Sequence, residues 1–479
     1  MNVVNPAKPS ALFDARPKAN SLLVIGCSGA LLAIWPLPET IAFRHAFLIL
    51  GFLASLSYLI PRRSTLFRRF SWPFWLFLGF FAWMLLHLAI FSVQFDLQLS
   101  ELGSLWARCL LAIPAGLVLG LLLTQNQLMD SSSSNCNMNT PTPTQRWVVL
   151  WILLGLSGTA LIFFGRYLYE VQVTHQWLHF DFFMTPYKGK PPFVIASALA
   201  LPLCFILIIR SINHQMSRWW IPLCLCLIGL VLFGDYFANT KNGIAIFAAG
   251  LGLFILNLLV KIRWSWRSYV LGFLILAAVM GASYVGIQKH IERNSAWPQM
   301  IANFEVGLDI DHQNFWKNRN AYPQPTNALG APVDISTYER TAWFTAGARL
   351  LSENPQGFGL IHHSFGWLAL AKWSDFYQPI GTLRGATHSG WMDMALGVGI
   401  PGLLLVLIPL GVAWFRSLFQ QGLWFSYAAW TIPIMCFAYL TTELTGAHST
   451  EILFFMTAFF CGITLCHPVQ FSKKIARTH

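Results

Sequence analysis

Apolar runs of spanning length recur along this chain, and they constrain its fold more than any motif. A helix that crosses a bilayer needs about 20 mostly apolar residues, because no water is present there to meet the backbone polar groups. Twelve such runs can be read, near residues 21–36, 45–60, 73–93, 105–124, 147–167, 191–209, 219–236, 243–260, 268–286, 389–415, 425–441 and 451–466. Only 10% of the residues are charged and 56% are hydrophobic, whereas a soluble domain carries about 25% charged residues. This balance excludes an ordinary water-soluble enzyme, a disordered protein and a coiled coil. It predicts an all-α polytopic membrane protein of about 12 transmembrane helices. The 39 Phe, 21 Trp and 12 Tyr suit a long lipid–water boundary. The first apolar run follows a polar start and lacks a small-residue cleavage site, so it is expected to remain as a helix.

The net charge of +12 would suit nucleic acid, but its distribution points to membrane topology instead. With the N-terminus inside, the inner segments hold 17 of the 31 basic residues, Arg62, Arg63, Arg68 and Arg69 among them, against two acids, Asp14 and Asp130. Eight more lie in residues 288–387, and six stand in short outer loops or near outer helix ends: Arg44, Arg108, Arg166, Lys188, Lys190 and Lys241. An excess of Lys and Arg marks the cytoplasmic side, so both termini are expected there and no nucleic-acid partner is implied. The nine cysteines form no CxxC pair. Eight lie in or beside apolar runs and read as small buried hydrophobes, and Cys136 sits alone in a polar linker. That linker, residues 125–146, is rich in Ser, Thr, Asn and Pro and reads as a flexible inner loop. No internal repeat of the kind common in transporters is visible.

The chain is expected to divide into residues 1–286 with spans one to nine, an outer periplasmic loop 287–387 with short helices, and residues 388–479 with spans ten to twelve. The loop carries eight basic and eight acidic residues and no cysteine, so on an oxidising side it must be held by packing. Its first half, 296–337, reads as irregular. Residues 337–351 read as a helix, with Ser336 and Thr337 as caps, and Asn354-Pro355 stops it. Gly357 and Gly359 then make a turn, and 361–373 is a second amphipathic stretch. Arg340 and Arg349 stand nine apart and point in different directions, so one ligand is not expected to engage both. A loop arginine alone is commonly a solvated or salt-bridged side chain. His388 falls where the loop meets span ten. An imidazole there can take a proton from a hydroxyl, although a histidine at a helix start also serves as a simple cap. Glycines 390, 397, 399 and 402 let neighbouring helices approach closely.

Across residues 335–405 the chain resembles the O-antigen ligase and polymerase superfamily of bacterial envelope enzymes. The resemblance rests on Arg340-x-x-Trp343, Asn354-Pro-x-Gly-x-Gly359, His388-Ser389 and Gly399-x-x-Gly402, in that order, with one large outer loop before span ten. It implies transfer of a glycan from an undecaprenyl-diphosphate carrier to an acceptor, which in ligases is a sugar hydroxyl of the lipid A core. It also implies a bacterial inner membrane location. Arg340 matches the loop arginine that meets the donor diphosphate, and His388 matches the base or acceptor-orienting group. A third basic position falls in the turn Asn239-Thr240-Lys241-Asn242-Gly243, where lysine replaces the usual arginine. Ser389 likewise replaces an asparagine common after the histidine.

The chemistry requires charge neutralisation on a leaving diphosphate and deprotonation of a hydroxyl. Lys241 and Arg340, with Arg166, Lys188 and Lys190 as further candidates, suit the first task; His388 suits the second. No GxxxxGK loop or HExxH motif is present and no cofactor is implied, although Asp181 and Asp235 keep a divalent-cation mechanism open. Within the superfamily, the alternatives are an O-antigen polymerase and a protein O-oligosaccharyltransferase. Polymerases commonly carry two sizeable outer loops, and the moderate loop at 168–190 leans towards a ligase. A transporter or flippase would place charges deep in several spans, and here the polar mass lies in one loop.

Overall fold

In the computed structural model, residues 19–67, 71–132, 143–177, 189–261, 277, 281, 299–362, 364–377, 385–442 and 448–465 are described. They form sixteen α-helices: α1 (Ala19–Ile34), α2 (Ile41–Leu59), α3 (Trp72–Ile90), α4 (Phe95–Glu101), α5 (Ala107–Ser132), α6 (Pro143–Leu156), α7 (Gly158–Thr174), α8 (Pro191–Ile212), α9 (Trp220–Phe237), α10 (Lys241–Lys261), α11 (Met300–Leu308), α12 (Ile335–Glu353), α13 (Ser364–Lys372), α14 (Gly390–Leu418), α15 (Leu423–Thr441) and α16 (Ser449–Leu465). Among the described residues, pairing of β type is limited to one isolated bridge, Thr326 with Pro332. The protein is all-helical over these residues.

Among the described residues, seven helices are long and apolar enough to cross a membrane: α2 with its continuation to Thr65, α3, the run Phe95–Thr124 through α4 and α5, α8, α9, α14 and α15. The pair α6 and α7, bent by 62° at Ser157, makes an eighth if the two act as one span. There Gly155 and Gly158 lie against the α1 backbone at Gly29 and Ala33, where a Cβ would collide, and Trp151 Nε1 donates to Ile25 O and Gly26 O at 3.2 Å. The fifth expected span, 147–167, is therefore a bent helix pair rather than one straight helix. Helices α1, α16 and the start of α10 are apolar but shorter. The ninth expected span, 268–286, lies outside the described residues apart from 277 and 281. Large apolar side chains such as Phe43, Leu85, Ile90 and Trp147 stand 62–70% exposed on these helices, a surface that only an apolar solvent would cover without cost.

The centre of the bundle is α8 and α16, both buried along their length. Helix α5 packs on α16 at backbone distance through Gly116, Gly120 and Gly462, each facing a carbonyl of the other helix that leaves no room for a Cβ. Small residues at such crossings replace the hydrophobic drive that lipid does not supply. Of the cysteines, Cys27, Cys109, Cys204, Cys224 and Cys461 are buried. Cys226 is exposed instead, on the outward face of α9, and Cys436 is half-buried; Cys136 and Cys466 lie outside the described residues.

The segment between α10 and α14 has a second core, built on Trp316, Tyr338, Ala342, Leu350, Phe365 and Phe376, which Leu396 of α14 joins. Two expectations there need correction. The first half is not wholly irregular, because α11 forms and packs on α12, with Gly307 against Thr341 and the Tyr338 carbonyl. The cap of α12 is Asp334 rather than Ser336 or Thr337. Its carboxylate accepts from Thr337 N at 3.0 Å and Thr337 Oγ1 at 2.7 Å, as an N-cap side chain does for the third helical amide.

The glycine motifs also meet differently from expectation. Phe358 N donates to Leu396 O at 2.7 Å, Gly359 N to Gly397 O at 2.6 Å, and Ile400 N to Pro355 O at 2.8 Å. The Asn354–Gly359 turn is thus laid along a break in α14 where Gly399 has φ +74. A Cβ at Gly397 would meet the Leu360 carbonyl, and one at Gly399 the Gln356 backbone. These two glycines admit the loop, not a neighbouring helix. Gly402 does face a helix, through Trp83 of α3.

Candidate active site

Lys241, Arg340 and His388 sit at or near helix beginnings, and the end of α15 ties two of those beginnings together. Asn242 Nδ2, in the first turn of α10, donates to Thr441 O at 2.6 Å. Gly390 N, at the start of α14, donates to Thr442 O at 2.8 Å. Two successive carbonyls therefore bring Lys241 and His388, each one or two residues away, to one end of the bundle.

The turn carrying Lys241 is built around Asp235. Ser197 Oγ and Thr240 Oγ1 donate to its carboxylate at 2.6 and 2.8 Å, and Thr240 N donates to its carbonyl at 3.0 Å. Gly243 is required beside it, since a Cβ would fall on the Asp235 carboxylate. Asn239 takes the left-handed conformation at φ +48, which asparagine tolerates, and its carbonyl accepts from Lys190 Nζ at 3.3 Å. Lys241 lies just before the apolar run of α10. Burial lowers the pKa of its ammonium, the Asp334 carboxylate raises it, and the Arg340 guanidinium lowers it further. The fields of the loop residues thus reach Lys241.

Arg340 and His388 line one cavity of about 490 Å³, with Arg319, Asp334, Ile335, Ser336 and Glu339 as its other walls. Arg319 and Glu339 are joined by a two-pronged ion pair through Nε and Nη2. Asp334 is engaged as the α12 cap. Arg340 is exposed, and it enters the cavity from the first turn and a half of α12. His388 is half-buried and its ring stacks on Trp343, with centroids 5.3 Å apart and planes 17° apart. Trp343 Nε1 in turn donates to Trp316 O at 3.3 Å.

His388 has φ +58, a conformation that costs a non-glycine residue about 1–3 kcal/mol and persists only where its surroundings impose it. Asp393, one turn into α14, imposes it here. Its Oδ1 accepts from Thr387 N at 2.7 Å and Thr387 Oγ1 at 2.8 Å, and its own amide donates to Ser389 O at 2.8 Å. The residues on both sides of His388 are pinned, so the imidazole is aimed by backbone geometry.

The remaining candidates are placed elsewhere. Arg166 pairs with Glu170 on its own helix, lies over the Tyr169 ring and does not line the cavity. Lys190 holds the Asn239 turn. Lys188 and Asp181 lie outside the described residues. Arg349 forms a two-pronged pair with Asp311 at 2.6 and 2.8 Å, on the side of α12 away from Arg340. Among the described residues no cluster of three or more His, Cys, Asp or Glu could hold a metal, and Asp235 is occupied in its turn.

Three contributors escaped the sequence reading. Arg319 and Glu339 carried no motif. Asp334 could have been found as an Asp three residues before Thr337, a capping signal. A further anchor is Glu101, which accepts from Ile361 N at 3.0 Å and His362 N at 2.8 Å, while Gln98 and His87 support Gly357 O behind it. His362 is thereby committed to Glu101; His363 lies outside the described residues. No known family model matches the chain, and no curated protein sequence matches it significantly.

Proposed function

We propose that the chain is a metal-independent glycosyltransferase of the bacterial inner membrane, of O-antigen ligase type. It moves an O-antigen glycan from undecaprenyl diphosphate to a sugar hydroxyl of the lipid A core. The observation that carries the reading is the shared cavity of Arg340 and His388, with Lys241 near enough to feel the charges of Asp334 and Arg340. Cations and an imidazole at one end of an apolar bundle suit a lipid-borne diphosphate and a hydroxyl nucleophile. In the step, the acceptor oxygen bonds to the anomeric carbon of the donor sugar as the bond from that carbon to the diphosphate oxygen breaks. The hydroxyl proton passes to His388, and Arg340 and Lys241 take up the charge on the leaving undecaprenyl diphosphate. On this reading there are twelve spans, both termini are cytoplasmic, and the cavity faces the periplasm.

The test is a gene deletion assayed for surface lipopolysaccharide. Loss of long chains with accumulation of carrier-linked polymer supports the ligase. Single-repeat lipopolysaccharide would make it a polymerase instead, and unchanged lipopolysaccharide would remove both. Cysteine-accessibility labelling at Ser132 and Pro323 checks the topology: Pro323 should react from outside and Ser132 only after the membrane is opened.

A further inference from the structure

A second cavity, of about 240 Å³, lies among the end of α1 and the starts of α2, α5 and α16. Its polar floor is Arg44, Arg108, His448 and Glu451. Both Glu451 oxygens are engaged: Oε1 accepts from Arg108 Nε at 2.5 Å, and Oε2 accepts from Trp35 Nε1 at 2.6 Å and faces His448 Nδ1 at 2.9 Å. Arg108 thus answers Glu451, and Arg44 is the surplus cation. Arg44 is only 7% exposed, its Nη1 donates to Trp35 O at 3.1 Å, and its Nε–H meets no acceptor among the described residues. A buried guanidinium with an unmet donor at the end of an apolar helix is costly and calls for an anion. The opposite wall is apolar apart from His45, which stands exposed. Ile41 lines the cavity and is 56% exposed, so the mouth opens onto the surface that faces lipid. The volume is below the roughly 300–1,000 Å³ of ordinary ligand pockets, which suits a phosphate with the first carbons of a chain rather than a sugar.

We propose that this cavity binds the phosphate of an anionic membrane lipid, with Arg44 donating to the phosphate oxygens and the lipid chain leaving past Ile41. The proposal goes beyond the transfer reaction, shares no residue with the Arg340–His388 cavity, and stands whether or not the protein transfers glycans.

Native mass spectrometry of the detergent-purified full chain tests it, with phosphatidylglycerol, a diacylglycerol of the same chains, and inorganic phosphate as probes. One phosphatidylglycerol per chain should be retained, and the uncharged diacylglycerol should not. Arg44→Gln should weaken retention about tenfold or more, since a charge-assisted hydrogen bond is lost. Ile41→Glu, a surface change that leaves the floor intact, should weaken it similarly by setting a carboxylate at the mouth. His388→Gln should retain lipid as the parent does, which separates this outcome from that of the transfer reading. Equal retention of phosphatidylglycerol by Arg44→Gln or by Ile41→Glu overturns the proposal. Displacement of the lipid by inorganic phosphate would make the cavity a free-anion site and overturn the lipid assignment.

Discussion

The imidazole of His388 lies parallel to the indole of Trp343, 5.3 Å centroid to centroid. The two residues are 45 positions apart in sequence, on α12 and at the entry to α14, and their stack ties the Arg340 helix to the proposed base. Stacking on an aromatic face, with the backbone held by Asp393, leaves the ring little rotational freedom. Replacing His388 by Ala or Gln should abolish transfer, because a positioned base contributes about 10²–10⁴-fold. Full ligation by His388→Gln in membranes at neutral pH would reduce His388 to a helix cap.

Trp343 is expected to act through His388. Trp343→Phe keeps a ring under the imidazole and should cost less than tenfold in turnover, whereas Trp343→Ala should lose most of it. The aromatic contact itself is worth about 0.5–1.5 kcal/mol beyond burial. Purified variants compared for turnover and thermal midpoint separate the two effects. If Trp343→Ala unfolds no earlier and still turns over normally, the stack has no positioning role.

Arg340 and Arg349 share a helix and differ in surroundings, so they should differ in consequence. Arg340→Ala should abolish transfer with the fold intact, and Arg340→Lys should recover little if both prongs of the guanidinium meet the diphosphate. Arg349→Ala should leave transfer unchanged and lower stability only slightly, as exposed ion pairs do. Its partner Asp311 has a carboxyl held below the ordinary range, chiefly by the hydrogen bond from Arg349 and against a smaller desolvation. A depressed folded pKa contributes stability above the ordinary carboxylate pKa, near 3.9, and loses it as pH falls through the lower folded value. The thermal midpoints of parent and Arg349→Ala should therefore differ at pH 7 and converge in acid. A constant difference across that range would rule out the pair as its source.

The long apolar helices were legible because about 20 residues without charge have few other solutions. The bend at Ser157 was not, because it depends on where Gly155 and Gly158 meet the α1 backbone, a contact 126 residues away along the chain. The order Arg340, Trp343, His388 was legible as a pattern, and their meeting in one cavity required the fold. Arg319 and Glu339 were invisible for a plain reason: an ion pair between loop residues 20 apart leaves no periodicity or spacing rule in the sequence. Glu101 reaches residues 361 and 362 across about 260 positions, and only tertiary packing reports such an anchor.

Asp393 offers the sharpest separation between holding the site and building it. Its Oδ1 is the acceptor for both polar groups of Thr387, and those two bonds keep His388 at φ +58. Asp393→Asn keeps an acceptor oxygen of similar shape but weakens both bonds, since hydrogen bonds to a charged group are about twice as strong as neutral ones. Asp393→Ala leaves the buried Thr387 amide without its acceptor, at about 1–3 kcal/mol. The expected order of turnover is parent, then Asp393→Asn, then Asp393→Ala, with thermal midpoints falling in the same order. Donor retention should survive in Asp393→Asn, because Arg340 and Lys241 are untouched. The discriminating measurement is Asp393→Asn with donor in excess: a reduced turnover at parental donor affinity marks a residue that aims His388. If affinity falls in step with turnover, Asp393 supports the whole cavity and the specific link to His388 is lost.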